Sequence, residues 1–310
     1  MNKSMKYASR GMVLALGISL TVLLPGCRTA GYRDPIAKFQ AAASVVIAST
    51  RLYVTELNKV ERGHYITSKL SERAEIKLLE LEKVQVFSQE GLKARLDAMD
   101  QLASYGSLLS KLANSDAPAT VSAEAQSLGE SIKKLSTTVS GFTDTNDTAF
   151  QSAVGPVATI VGEILSLVVQ NKIREAMDKA IKDGEVSINK LLRVIRTDIA
   201  LAYERKRSAL SDLRVVLVRE YERERGANGE AEKLRLYAER VRAHEDRWEV
   251  FDSADPGEGL DAMAKAHTAL VKYAKSSQKV NDLASLVEVL EAFAARATNI
   301  GRAVQTLRSN

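Results

Sequence analysis

The sequence predicts an all-α protein, an elongated multi-helix bundle of long amphipathic helices. Apolar residues recur in steps of three and four over long stretches, no run alternates apolar with polar residues, and only five prolines and one tryptophan occur in 310 residues. Steps of three and four place side chains on one face of a helix, whereas a half-buried strand needs strict alternation. Proline removes a backbone donor and breaks helices, so its scarcity allows long ones.

The first 27 residues form an element of their own. Lys3, Lys6 and Arg10 make a basic head, Gly11 to Leu24 are an apolar run of 14 residues, and Leu24-Pro25-Gly26-Cys27 closes it. A helix needs about 20 apolar residues to cross a bilayer, so the run suits the h-region of a cleaved secretion signal and not a transmembrane anchor. Cys27 is the only cysteine, which excludes an intramolecular disulfide and puts the one thiol where cleavage would fall. Residues 1–27 resemble a bacterial lipoprotein signal peptide with its lipobox, although Pro25 stands where that pattern more often has a small or β-branched residue. The resemblance implies cleavage between Gly26 and Cys27, a diacylglyceryl thioether on Cys27 and an acyl chain on its new amino group. Arg28 occupies the sorting position, where aspartate is the family's usual inner-membrane retention signal. The resemblance therefore implies lipid anchoring in the outer membrane of a Gram-negative cell, with the body facing the periplasm. Each buried methylene adds about 0.8 kcal/mol to membrane binding, so several acyl chains make an effectively permanent anchor.

The chain thus divides into a signal peptide (1–26), a short lipidated tether (27–33) and a helical domain (34–310). Asp34 is expected to cap a helix that begins at Pro35, carries a stripe at Ile36, Phe39, Ala43, Val46, Thr50, Tyr53, Leu57 and Val60, and ends at Gly63. Ser71 to Val86 forms a weaker segment whose Val84-Gln85-Val86 end is either helical or extended. Ser88 opens a helix with Leu92, Leu96, Met99, Ala103, Leu109 and Leu112, which stops before the break from Asn114 to Pro118. A further helix, with Ser122 as its cap, follows with Leu128, Ile132, Leu135, Val139 and Phe142. The polar loop from Thr143 to Asp147 leads into the most apolar stretch, Phe150 to Val169. Beyond Asn171 a long charged helix runs to about Arg225, with Gly184 as its candidate hinge. Its seam comprises Ile188, Leu192, Ile195, Ile199, Ala202, Ala209, Leu213, Val216 and Leu217. Gly226 to Gly229 make a turn, Glu230 to Phe251 another helix, and Leu260 to Leu307 a last helical region striped by Leu283, Val287, Leu290, Ala294, Ala297, Gly301 and Val304.

Charge narrows the function classes. The whole chain carries 44 basic and 39 acidic residues, but cleavage would remove Lys3, Lys6 and Arg10 and leave 41 against 39. A nearly balanced body in an envelope compartment does not suit nucleic acid as a partner. The expected partners are the lipid bilayer, through acylated Cys27, and an envelope protein.

No catalytic residue is assigned, and neither a cofactor nor a metal is expected. There is no Gly-x-Ser-x-Gly elbow and no His-Glu-x-x-His pair. Glu61 and His64 have the Glu-x-x-His spacing of di-iron bundles, but Gly63 between them is expected to end the helix. The mixed-sign runs Glu204 to Arg207 and Arg219 to Arg225 suit a solvated helix face or a docking surface. The run Ala153 to Gln170, including Val154, Ile160, Glu163, Ile164 and Val168 and preceded by Phe150, is expected to be a central core helix. Its alternative is membrane insertion, against which Glu163 would cost about 2.5 to 3.5 kcal/mol. The sequence therefore favours a non-enzymatic, membrane-anchored envelope lipoprotein that acts by docking or as a structural element. The alternatives are a membrane-active helical protein inserting residues 153–170, and an enzyme whose site is assembled only in three dimensions.

Overall fold

The stripe from Ile36 to Leu57 is the buried face of one long helix, and four other helices pack around it. The computed structural model describes residues 30–114, 118–140, 162–227 and 229–309. They form α1 (Ala30–Glu72), α2 (Leu78–Lys83), α3 (Gln89–Asn114), α4 (Pro118–Ser140), α5 (162–169), α6 (Ile173–Gly226), α7 (Ala231–Asp252), α8 (Pro256–Lys275) and α9 (Val280–Ser309). No strand occurs among the described residues. The protein is an all-α multi-helix bundle, as the periodicity predicts.

Cross-helix contacts fix the directions. Tyr32 meets Asp178 and Glu61 meets Arg205, so α1 and α6 run parallel; Lys38 meets Glu291, and Val45 lies against Gly301, so α9 runs with them. Arg51 pairs with Asp100, and Gln40 lies beside Gly106, which makes α3 antiparallel to α1. The pairs Lys275–Glu185 and Arg196–Asp261 make α8 antiparallel to α6. The bundle therefore has two distinct ends. One holds the start of α1, the start of α6 and the α8–α9 turn; the other holds the end of α1, α2 and the tip of the α6–α7 hairpin.

Several expected boundaries move. α1 begins at Ala30, four residues before Asp34, so Pro35 sits inside the helix and Asp34 is not its cap. Gly63 does not end it. Glycine costs about 1 kcal/mol in a helix interior but stops a helix only where the chain has a competing turn. The stop comes ten residues later, at Arg73 in the left-handed region (φ 53°), where Ala74 N–H donates to the Lys69 carbonyl. Asn171 (φ 59°) closes α5 in the same way, through Lys172 N–H to the Leu167 carbonyl. Ser88 does open α3, its hydroxyl accepting from Gly91 N–H at 3.0 Å. α4 starts at Pro118, before Ser122. Residues 84–88 leave the helix, held by Asn58, whose side chain accepts from the amides of Val86 and Phe87 and donates to the Phe87 carbonyl.

The core runs through α1, α3, α6, α8 and α9, with Phe39, Met99, Leu108, Ile195, Leu270 and Phe293 fully buried. Burying a large apolar side chain contributes about 1.5 to 3 kcal/mol, so these stripes account for the packing of the middle of the bundle. α6 passes through Gly184 without interruption, so there is no hinge. A Cβ at Gly184 would stand 3.3 Å from the Tyr105 hydroxyl; the small residue there makes room for that side chain. Tyr105 donates to the Ala180 carbonyl at 3.1 Å and meets His267 Nε2 at 2.8 Å. Arg95, beside the Leu92–Met99 stripe, is buried against Asp198 at 2.7 Å and against the ring of Phe87.

Candidate functional site

Two features mark the ends of the bundle, one at each end. At the first end, the opening turn of α1 is clamped. Tyr32 is buried, its hydroxyl donates to Asp178 at 2.7 Å, and it accepts from the Gln278 amide at 2.9 Å. Arg174 in turn donates to the Gln278 side-chain oxygen. The ring of Tyr32 meets Tyr273 edge to face, with centroids 5.3 Å apart. Burial, then the hydrogen bond to Asp178, pushes the Tyr32 hydroxyl well above its ordinary value of 10, so it stays a donor. Gly31 lies so close that a Cβ would come 2.8 Å from the Tyr273 hydroxyl. Three segments distant in sequence are thus tied together within a few residues of Cys27. Sequence reasoning does not find this clasp; the one signal available is a Gly-Tyr pair, Gly31-Tyr32, that begins four residues after Cys27.

Cys27, Arg28, Phe150, Val154 and Ile160 lie outside the described residues. Of the apolar run, Glu163, Ile164 and Val168 are described, and they fall on different faces of α5. Ile164 and Val168 are buried in the core, whereas Glu163 has 52% of its side chain exposed and pairs with Lys179 at 2.7 Å. Val169 is 75% exposed. This part of the run is therefore an amphipathic helix at the edge of the bundle and not a central core helix. The physical reason is that α5 packs on one side only, leaving Gly162, Glu163, Ser166 and Val169 to water. Among the described residues no helix is long and apolar enough to cross a membrane.

The titratable groups do not converge. His267 is enclosed with Tyr105 and Phe39, and burial pushes its imidazole down to about 4. His244 is buried on α7, away from it in the chain and on another helix. Glu61 and His64 share α1, since Gly63 does not break it, but Glu61 is taken up by Arg205 at 3.4 Å. No group of three His, Cys, Asp or Glu able to hold a metal occurs among the described residues. A shallow groove of about 430 Å³ lies along α8, lined by Glu185, Thr268, Val271, Lys272, Lys275 and Ser276, and its Lys275 and Glu185 already pair.

At the other end, α6 leaves the bundle with α7 as its main cover. The expected seam is buried as far as Ala202 and Tyr203, but beyond them only Leu217 is. Leu213 and Val216, expected in the core, are 43% and 45% exposed, and Val215, Val218 and Leu236 are exposed as well. The cause is the number of neighbours: α7 covers one side, whereas Leu213 to Val218 point around the whole helix. Ion pairs hold the hairpin, Arg214 to Glu245 at 2.7 Å, Arg240 to Glu220 at 3.1 Å and Arg207 to Asp252 at 3.4 Å. Within the charged run Glu222 takes Arg225 at 2.9 Å, as the spacing predicts. Lys206 turns inward, and burial lowers its ammonium below the ordinary lysine value.

No family model, curated protein or solved structure matches the chain.

Proposed function

We propose that the protein is a non-enzymatic envelope lipoprotein, held in the outer membrane by acylated Cys27, and that it works by presenting the α6–α7 hairpin to an envelope protein. The observation that carries this reading is the polarity of the bundle. The clamped start of α1, which follows Cys27 by a few residues, and the exposed apolar hairpin are at opposite ends. From Asp178, level with Tyr32, to Gly226 is 48 residues of continuous helix, or about 70 Å at the helical rise. A lipid at one end and an adhesive arm at the other suit a protein whose work is placement. The arm's exposed apolar side chains, ringed by both signs of charge, suit a protein surface with an apolar centre and a polar rim.

Metabolic labelling with a fatty-acid analogue tests the anchor. Wild type is expected to be labelled and Cys27→Ser to remain an unlabelled precursor, because serine cannot form the thioether; equal labelling of the two would remove the basis of the reading. Photocrosslinking in the native envelope tests the arm. A crosslinker at Val216 is expected to yield one dominant protein adduct that a crosslinker at Val186, exposed near the other end of α6, does not.

A further inference from the structure

Resting on that reading, we infer that the clasp end of the bundle sits directly on the phospholipid headgroups of the membrane that holds Cys27, with Val169 and Val280 as its contact points. Chain length sets the distance. α1 begins at Ala30, three residues after Cys27, and three extended residues span at most about 10 Å. The acyl chains on Cys27 must lie in hydrocarbon, and the headgroup layer above it is about 5 to 7 Å thick. Almost no length is left over. Because Tyr32 is locked to Asp178 and Gln278, α1 cannot swing away to lengthen the tether.

The surface that would meet the headgroups has the chemistry for it. Val280 and Val169, at 82% and 75%, are the most exposed large apolar residues among those described. Both are at this end. Val280 is two residues past Gln278, and Val169 is separated from the first turn of α6 only by residues 170–172, Arg174 in that turn being bonded to Gln278. Around them Arg33, Lys111, Lys172, Lys272, Lys275 and Lys279 stand against Asp34, Glu175, Glu185 and Asp282, with Lys172 paired to Glu175 and Lys275 to Glu185. An excess of bases around two apolar tips is complementary to a phosphate layer over hydrocarbon, where each lysine or arginine near an anionic surface adds about 1 kcal/mol. The far hairpin has no such excess: residues 204–252 carry twelve bases and twelve acids.

The lone cysteine makes the test clean, since Cys27 is consumed by its lipid. The full-length lipidated protein carrying Val280→Cys, Val169→Cys or, as the far-end control, Val216→Cys is labelled with an environment-sensitive fluorophore and reconstituted into vesicles of phosphatidylethanolamine and phosphatidylglycerol containing headgroup-quencher lipids. The labels at 280 and 169 are expected to shift to the blue and to be quenched several-fold more than the label at 216. Water-like emission and equal quenching at all three positions, in protein that fatty-acid labelling shows to be lipidated, would overturn the seating while leaving the anchor intact. Absence of the lipid from wild type would instead overturn the reading beneath it, and the seating with it.

Discussion

Acidification should weaken this protein through one buried imidazole. His267 faces Tyr105, whose hydroxyl donates to the Ala180 carbonyl, so the ring is best satisfied with Nε2–H donating to the tyrosine oxygen. Nδ1 then has no partner. A second proton would have to sit on Nδ1, where no acceptor waits, inside a site already stripped of water. Burial accordingly pushes the folded-state value down to about 4, against 6.5 for the free side chain; Glu185 opposes this weakly. Because the folded value is depressed, the unfolded chain takes up the proton first. Stability is complete above pH 6.5 and is lost as pH falls toward 4, by about 2 kcal/mol at pH 5 and about 3 kcal/mol at pH 4. Urea unfolding at pH 7.5, 6, 5 and 4 measures the slope. His267→Gln keeps a side-chain donor to Tyr105 without a titrating group, so it should be somewhat less stable at pH 7.5 and lose much less on acidification. An acid slope identical in wild type and His267→Gln would refute the assignment.

Three further substitutions probe other parts of the argument. Asn58→Ala removes the acceptor for the amides of Val86 and Phe87 and the donor to the Phe87 carbonyl, and should destabilise by about 3 kcal/mol or more while exposing residues 84–88 to protease; a loss under 1 kcal/mol would show that water replaces the side chain. Gly63→Ala, at an exposed helical position with nothing within 4 Å of the new Cβ, should stabilise by about 1 kcal/mol and raise the melting temperature by about 2 to 4 °C, and a fall would mean that the helix bends there. Glu163→Leu should change stability by less than about 1 kcal/mol, because the pair is half exposed and Lys179 retains Asp183; a loss of several kcal/mol would place the carboxylate in the core after all.

Much of the fold is legible in the sequence because the three-and-four stripe reports burial directly. Ile36, Phe39, Val46 and Leu57 are all in the core, as are Leu128, Leu290 and Ala297. Helix ends are less legible. The stop of α1 depends on Arg73 adopting a left-handed conformation that arginine does not advertise, while Gly63, which does advertise a break, is passed through. Partners distant in sequence are not legible at all. Nothing in the sequence pairs Arg95 with Asp198, 103 residues away, and Tyr32 reads as one more aromatic until Asp178 and Gln278 close around its hydroxyl. The seam of α6 fails beyond Tyr203 for a related reason: periodicity states which face is apolar and not whether a neighbour covers it.

That failure locates the functional question. A stripe that remains apolar where the bundle no longer covers it is a mismatch between local pattern and fold, and such mismatches concentrate where a protein meets something else. Here the mismatch occurs at Val169 and Val280 beside the start of α1, at Leu213, Val215, Val216 and Val218 on the hairpin, and also at Ile76, Leu78 and Leu79 around α2 and at Val186 on α6. The core between the two ends holds two polar pairs, Arg95 with Asp198 and Tyr105 with His267. Parallel α1 and α6 turn this into a length, because the helix that starts at the clasp is the one that ends at the hairpin tip. Shortening α6 and α7 together by seven residues each, two turns, would keep the facing register and bring the tip about 10 Å closer to the clasp. If the arm serves to reach a partner across a fixed gap, that deletion should abolish the Val216 crosslink while leaving folding and lipidation unchanged. An undiminished crosslink would show that reach is not what the long helix provides.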